Sequence, residues 1–179
     1  EDAVDGLIYR YIPNEYGKLI NGGRLQALAI KNNKSLDTRN WPTLNSPTVP
    51  IGSPMAVEWI NLEDILSPND DLRYQGFDKG AARFARNEGM WYGKGEIYFV
   101  STNGGNNSSG QIWRYTPSPY EGTNKEAKHP GQLELFLEPN DNQLLEHCDN
   151  LTVAPWGDLI VCEDGSNDQY LRGVTPEGK

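Results

Sequence analysis

The chain has 179 residues, enough for one domain with a real core, and carries a net charge of −9 at pH 7. That acidity argues against a nucleic-acid partner, because neutralising phosphates takes a basic surface, and it is compatible with bound cations wherever carboxylates converge. No apolar run approaches the roughly 20 residues of a membrane helix, so no membrane span is expected.

Glycine (19) and proline (12) are plentiful, and aromatic and β-branched residues fall in short clusters, which predicts an all-β fold. The chain opens on Glu1-Asp2, runs into the strand GLIYRYI with Arg10, and after a Gly-Gly turn into GGRLQALAI. Residues 1–31 therefore read as the second half of a repeating unit. Residues 32–86 fit the pattern poorly. NWPTLNSPTVPIGSP is an irregular Pro-rich loop, and VEWINLEDIL and DKGAARFAR are expected as short helices or turns, so the segment reads as an elaborated connection.

From residue 87 the repeat becomes clear. NEGMWYG, EIYFVST, QIWRYT and QLELFLE make four strands over 87–139. NLTVA, DLIVCED and the segment carrying Leu171-Arg172 make three more over 146–179. GLIYRYIP…GGRLQALAI (6–30) matches GQIWRYTP…PGQLELFL (110–137), and NEGMWYGKGEIYFVSTNG matches DNLTVAPWGDLIVCEDG. Four antiparallel strands per repeat is the grammar of a β-propeller blade. The chain thus reads as about two and a half blades: half of one, all of the next, and three strands of a third. That arrangement explains why it ends as it begins, with Glu163-Asp164 and Arg172 repeating Glu1-Asp2 and Arg10. Such a set leaves open sheet edges, so a piece of a longer polypeptide is expected, its partner being the remainder of that polypeptide.

In a blade the start of the first strand and the end of the second lie at one end, facing the channel. Glu88 and Asn150 are read as equivalent first-strand residues, with Glu163 opposite Asn150 across a hairpin and Glu1 in the place of Glu163 one repeat earlier. Glu1, Glu88, Asn150 and Glu163 should then approach one channel mouth, with Asp2, Asp149 and Asp164 beside them. Oxygen-only ligands of this kind suit hard cations, calcium first, and with a trivalent ion could serve catalysis. The competing reading is that the aspartates are ordinary turn residues.

Other features carry less. Arg10, Arg114 and Arg172 recur within third strands, which points to a structural role, although a guanidinium fork also suits phosphate. His129 and His147 lack a nucleophile partner. A hairpin at Pro155-Trp156-Gly157 sets Cys162 opposite Leu151, so a disulfide with Cys148 is awkward and two free thiols are expected. The Gly-rich NGGNNSSG has no Lys-Ser/Thr after it and reads as a mobile loop.

The ordered set R-x-E-G-x-W, TNGG…GQIWRY, DNLTVAP-x-GDL and CEDG resembles the PhoX-type alkaline phosphatases, best over residues 82–179. The resemblance implies a six-bladed propeller exported folded by the twin-arginine route to the periplasm or outside the cell. It also implies a central site of iron and calcium that hydrolyses phosphate monoesters, with small phosphorylated substrates. Glu88 and Glu163 match acidic metal ligands of that family, and Glu1 a further one. The family's NHE-like segment and iron-ligating cysteine are not in this chain, and RNEG stands where many members have RPE. The implied activity therefore belongs to the parent protein rather than to this piece alone. Two other functions suit a Glu/Asn-lined propeller: a calcium-dependent lactonase and a non-catalytic propeller braced by calcium.

Overall fold

The computed structural model describes residues 1–166 and 168–179. It is all-β, with ten strands and one α-helix of seven residues among the described residues. Strand β1 (Tyr9–Pro13) pairs antiparallel with β2 (Gly23–Ile30), and β2 with β3 (Met55–Asn61). Helix α1 (Leu72–Asp78) follows. Next come β4 (Asn87–Gly93), β5 (Glu96–Ser101), β6 (Gln111–Thr116) and β7 (Gln132–Leu137), an antiparallel meander. The edge of β7 meets β3 through Met55↔Leu133 and Ala56↔Gln132, which joins the first seven strands in one sheet. Strands β8 (Cys148–Val153), β9 (Leu159–Glu163) and β10 (Leu171–Val174) form a second sheet.

Period-2 alternation places the core. Phe99, Trp113, Tyr115, Leu133 and Leu135 point to the face on which Ile8, Leu28, Ile30 and Val57 also lie, so the seven-stranded sheet curls around a single apolar cluster. Phe84 closes it, edge-on to Phe99 at 5.4 Å and to Trp113 at 5.3 Å between centroids. The alternate residues Tyr98, Val100, Ile112 and Phe136 face outward onto Leu151, Leu159, Val161 and Val174 of the three-stranded sheet.

Local chemistry fixes the turns. Lys94 and Gly95, with φ of 52° and 87°, form the two-residue loop between Gly93 and Glu96. Positive φ at both positions is what a type I′ hairpin needs.

The 32–86 connection departs from expectation. VEWINLEDIL, read as short helices or turns, is instead strand β3 as far as Asn61, because backbone pairing with Leu25–Ile30 satisfies its amides. Helix α1 ends at Asp78, the first residue of DKGAARFAR, and the rest of that segment is not helical. Ala81, Ala82, Phe84 and Ala85 are buried in the core, with Ala82 N donating to Leu28 O and Phe84 N to Gly6 O.

Candidate functional site

Two one-residue bulges organise the strand starts. In β4 the register jumps between Asn87↔Ser101 and Met90↔Phe99. In β8 it jumps between Cys148↔Glu163 and Asn150↔Cys162. Glu163 therefore lies opposite Cys148 and not Asn150, and Cys162 opposite Asn150 and not Leu151. The same slip makes Asp149, rather than Asn150, the counterpart of Glu88. Bulges re-aim the side chains they carry, and here they bring Glu88 and Asp149 within electrostatic reach of each other. β4 and β8 pack flank to flank at this point: a Cβ on Gly89 would come within 2.3 Å of Asn150 Oδ1.

The first acidic group lies at the start of β4. Arg86, at φ 53°, donates from Nε to Asp2 Oδ1 at 2.7 Å and from Nη2 to Oδ2 at 3.3 Å. The hydrogen bond from Arg86, helped by one from Glu88, holds the Asp2 carboxyl below its ordinary value. Glu88 moves the other way. Burial, the hydrogen bond shared with Asp2 and the charges of Asp2 and Asp149 push it up, against the pull of Arg86. Asp2 and Glu88 thus stand as neighbouring carboxyls whose values are pushed apart, Asp2 down and Glu88 up.

The other expected residues are engaged elsewhere. Glu1 Oε2 accepts the Tyr9 hydroxyl at 2.6 Å, and its Oε1 lies 3.4 Å from Arg73 Nη1. Asn150 Oδ1 accepts the amide of Leu151 at 2.8 Å. Asp164 donates its backbone N–H to His147 O at 2.9 Å. Glu163, with a side chain 1% exposed, takes Arg172 Nε at 2.8 Å and the Glu146 amide at 2.9 Å on Oε1, and the Tyr170 amide at 3.0 Å on Oε2. Burial raises its carboxyl, but these three donors outweigh it and the net shift is downward. The recurrent arginines are each paired: Arg10 with Glu121 and Glu126, Arg114 with Glu134 and Arg172 with Glu163.

Among the described residues no group of three or more His, Cys, Asp and Glu has metal-holding geometry. The residues at the start of β4 nevertheless fit a cation. The mutual repulsion of neighbouring carboxyls that raises Glu88 is relieved by a cation between them, and Asp149 adds charge beside them. Glu163 fits less well as it stands, since most of the roughly four acceptor positions of a carboxylate are filled. The residue that motif reading passed over is Arg86. Its signal lay in RNEG itself, one residue before the bulge.

The chain matches the family described as alkaline phosphatase PhoX over residues 1–179. No curated protein sequence matches it. Among solved structures it is similar to one described as Pseudomonas fluorescens PhoX in complex with vanadate, a transition state analogue. The identity is 17% and the TM-score 0.57, with 93% of this chain and 36% of that one covered. At that identity the likeness speaks for the fold, and this chain spans about a third of that protein's length.

Proposed function

The chain belongs to the PhoX alkaline phosphatase family, and from that premise we propose that it is part of a metal-dependent phosphatase acting on phosphate monoesters. The match along all 179 residues carries this reading. The meander β4–β7 and the three-stranded sheet β8–β10 suit propeller blades, although β3 joins β7 in one sheet. The reading as about two and a half blades of a six-bladed ring, with the starts of β4 and β8 at the channel, comes with the family. Export to the periplasm or beyond the cell accompanies the same reading.

Asp2 and Glu88 are the ligands this geometry favours, with Asp149 contributing charge. Glu1, Asn150, Asp164 and Glu163 are further candidates, Glu163 only if it exchanges Arg172 for a metal. Calcium or iron bound there supplies a positive centre that polarises phosphoryl oxygens. Arg86, whose side chain is 38% exposed, stands beside the carboxyl pair with a guanidinium fork suited to phosphate oxygens. In the absence of a cation it holds Asp2 ionised, which keeps one ligand ready.

The test is elemental analysis of the purified chain by plasma mass spectrometry, beside the Glu88→Gln variant, with hydrolysis of an aryl phosphate followed on the same samples. Iron with calcium, both lost in Glu88→Gln, supports the proposal. Calcium alone, without phosphate-ester turnover, shifts the reading to a calcium-braced or lactonase-type propeller. A chain that retains no metal from a buffer containing both ions removes the site as drawn.

A further inference from the structure

We propose that the cavity beneath residues 40–48 is a binding site for an organic ammonium ion, anchored by Glu138. The cavity, of about 430 Å³, lies between Asn40, Trp41, Thr48, Asn106, Glu138 and Asn140. Glu138 follows β7 and is 7% exposed. Its donors are three neutral amides: Asn40 Nδ2 and Gln111 Nε2, each 2.7 Å from Oε2, and Asn140 Nδ2, 2.9 Å from Oε1. Among the described residues no lysine or arginine pairs with it. Amides lower the cost of burying a carboxylate, but they leave its charge uncompensated and one acceptor position on Oε1 open.

The orientation of those amides decides which cation fits. Asn40 Oδ1 accepts the Val49 amide at 2.8 Å, and Asn140 Oδ1 accepts the Asn107 amide at 3.1 Å. Both side chains therefore turn nitrogen, not oxygen, toward Glu138. A calcium ion needs six to eight converging oxygens, and this site presents N–H groups where they would have to be. An ammonium needs only the carboxylate and a hydroxyl or two; Ser46 and Thr48, which carry hydroxyls, line the wall, as do Pro42 and Leu44, which suit a carbon chain. Arg39 stacks on Trp41 at 4.3 Å, but both oxygens of Asp37 hold it, at 2.8 and 2.6 Å, so its charge is already matched.

The backbone is arranged around this carboxylate. Asn40 and Asn140 deliver their amides from left-handed conformations, φ 56° and 52°, which asparagine tolerates best among non-glycine residues. Gly105, at φ 93°, keeps the approach open, since a Cβ there would lie 2.9 Å from Asn140 Oδ1 and 3.0 Å from Glu138 Cγ. The cavity is distinct from the carboxyl pair at β4. Asn103 stands between them, its carbonyl accepting Trp41 Nε1 at 2.6 Å and its side-chain oxygen accepting Arg86 Nη1 at 3.3 Å.

The experiment is an NMR titration of the ¹⁵N-labelled chain with propylammonium chloride, propan-1-ol and calcium chloride, following the side-chain amides of Asn40, Asn106, Asn140 and Gln111. Propylammonium is expected to shift these signals saturably in the millimolar range, with propan-1-ol at least tenfold weaker. Glu138→Gln should abolish the effect. Because that variant disturbs three hydrogen bonds, Asn106→Lys serves beside it: the residue is exposed, the fold should hold, and the new ammonium should occupy the cavity and block the probe. Glu88→Gln should leave the shifts in place, which separates this site from the proposed phosphatase centre. Equal response to propan-1-ol, tighter response to calcium, no response at all, or persistence in a folded Asn106→Lys chain would each overturn the proposal.

Discussion

Arg86 and Asp2 lie 84 residues apart in sequence and are joined by two hydrogen bonds, at 2.7 and 3.3 Å, that pin the first residues of the chain to the start of β4. The consequence falls on Glu88. With Asp2 held ionised by Arg86, the next proton goes to Glu88, whose carboxyl stands above its ordinary value of 4.5. A raised folded-state value favours folding at low pH, and that contribution is lost as pH rises through it. Asp2, lowered from 3.8, contributes the opposite way: its share is present above 3.8 and lost as pH falls through the folded value. A ¹³C carboxyl titration should show Glu88 with a midpoint above 4.5 and Asp2 with one below 3.8. Calcium should bring the Glu88 midpoint down. A Glu88 midpoint at or under 4.5 without metal would mean that burial and the neighbouring Asp2 do not raise this carboxyl.

Glu163 and Arg172 make the tie that the sequence repeat concealed. Glu163 is almost wholly enclosed, whereas Arg172 keeps 27% of its side chain in solvent. Removing one partner of a fully buried pair costs 3–5 kcal/mol, and partial screening at Arg172 brings the expectation for Glu163→Gln to about 2 kcal/mol. In a chain of this size that corresponds to roughly 5 °C in Tm. Because the lowered Glu163 carboxyl contributes fully above 4.5 and loses that contribution as pH falls through its folded value, the difference between variant and parent should shrink over that range. A melting difference that is flat from pH 7 to pH 3 would show that the charge of Glu163 contributes nothing.

What could be read before the structure follows from where side chains alone decide the outcome. EIYFVS, QIWRYT and QLELFL stand out as short apolar-rich runs because both faces of β5–β7 are covered, one by the curled core and one by the second sheet. β3 escaped notice because Val57 is its one fully buried residue, so no alternation marks it, and backbone pairing does the rest. The sequence groups the carboxylates by their places at strand starts and ends, and does not show the partners that engage them in the structure. A bulge adds one residue without changing composition, and that single residue exchanged Asn150 for Asp149 as the counterpart of Glu88. Arg86 and Arg172 reach partners 84 and 9 residues away through turns that sequence spacing does not encode.

The two cysteines should separate chemically. Both are free; Cys148 is buried and Cys162 exposed. Burial pushes the Cys148 thiol up to about 12, so little of it is thiolate near neutrality. Ellman's reagent at pH 8 should therefore count one thiol in the folded chain and two in guanidinium chloride. Two fast-reacting thiols under native conditions would mean that β8 does not hold its place under the β6–β7 face.

Gly89 tests whether the two sheets meet where the bulges place them. A methyl group there would lie 2.3 Å from Asn150 Oδ1, 2.6 Å from Asn150 Cα and 2.9 Å from Leu151 N. Two of these atoms are backbone and cannot rotate aside, so β8 would have to move away from β4. Overpacking of this kind costs 1–3 kcal/mol, and Gly89→Ala should lower stability by about 2 kcal/mol. Gly95 is the matched comparison, because a Cβ there meets nothing within 4 Å and the cost comes from its φ of 87° alone. Gly95→Asn should then lose little, since asparagine accepts the left-handed conformation that the type I′ turn requires. Gly89→Ala should also disturb the Asp2–Glu88 pair through the shifted strand and move the Glu88 midpoint, whereas Gly95→Asn should not. Equal, small losses in both variants would show that β4 and β8 stand further apart than 2.3 Å allows, and with them the carboxylates at the proposed metal site.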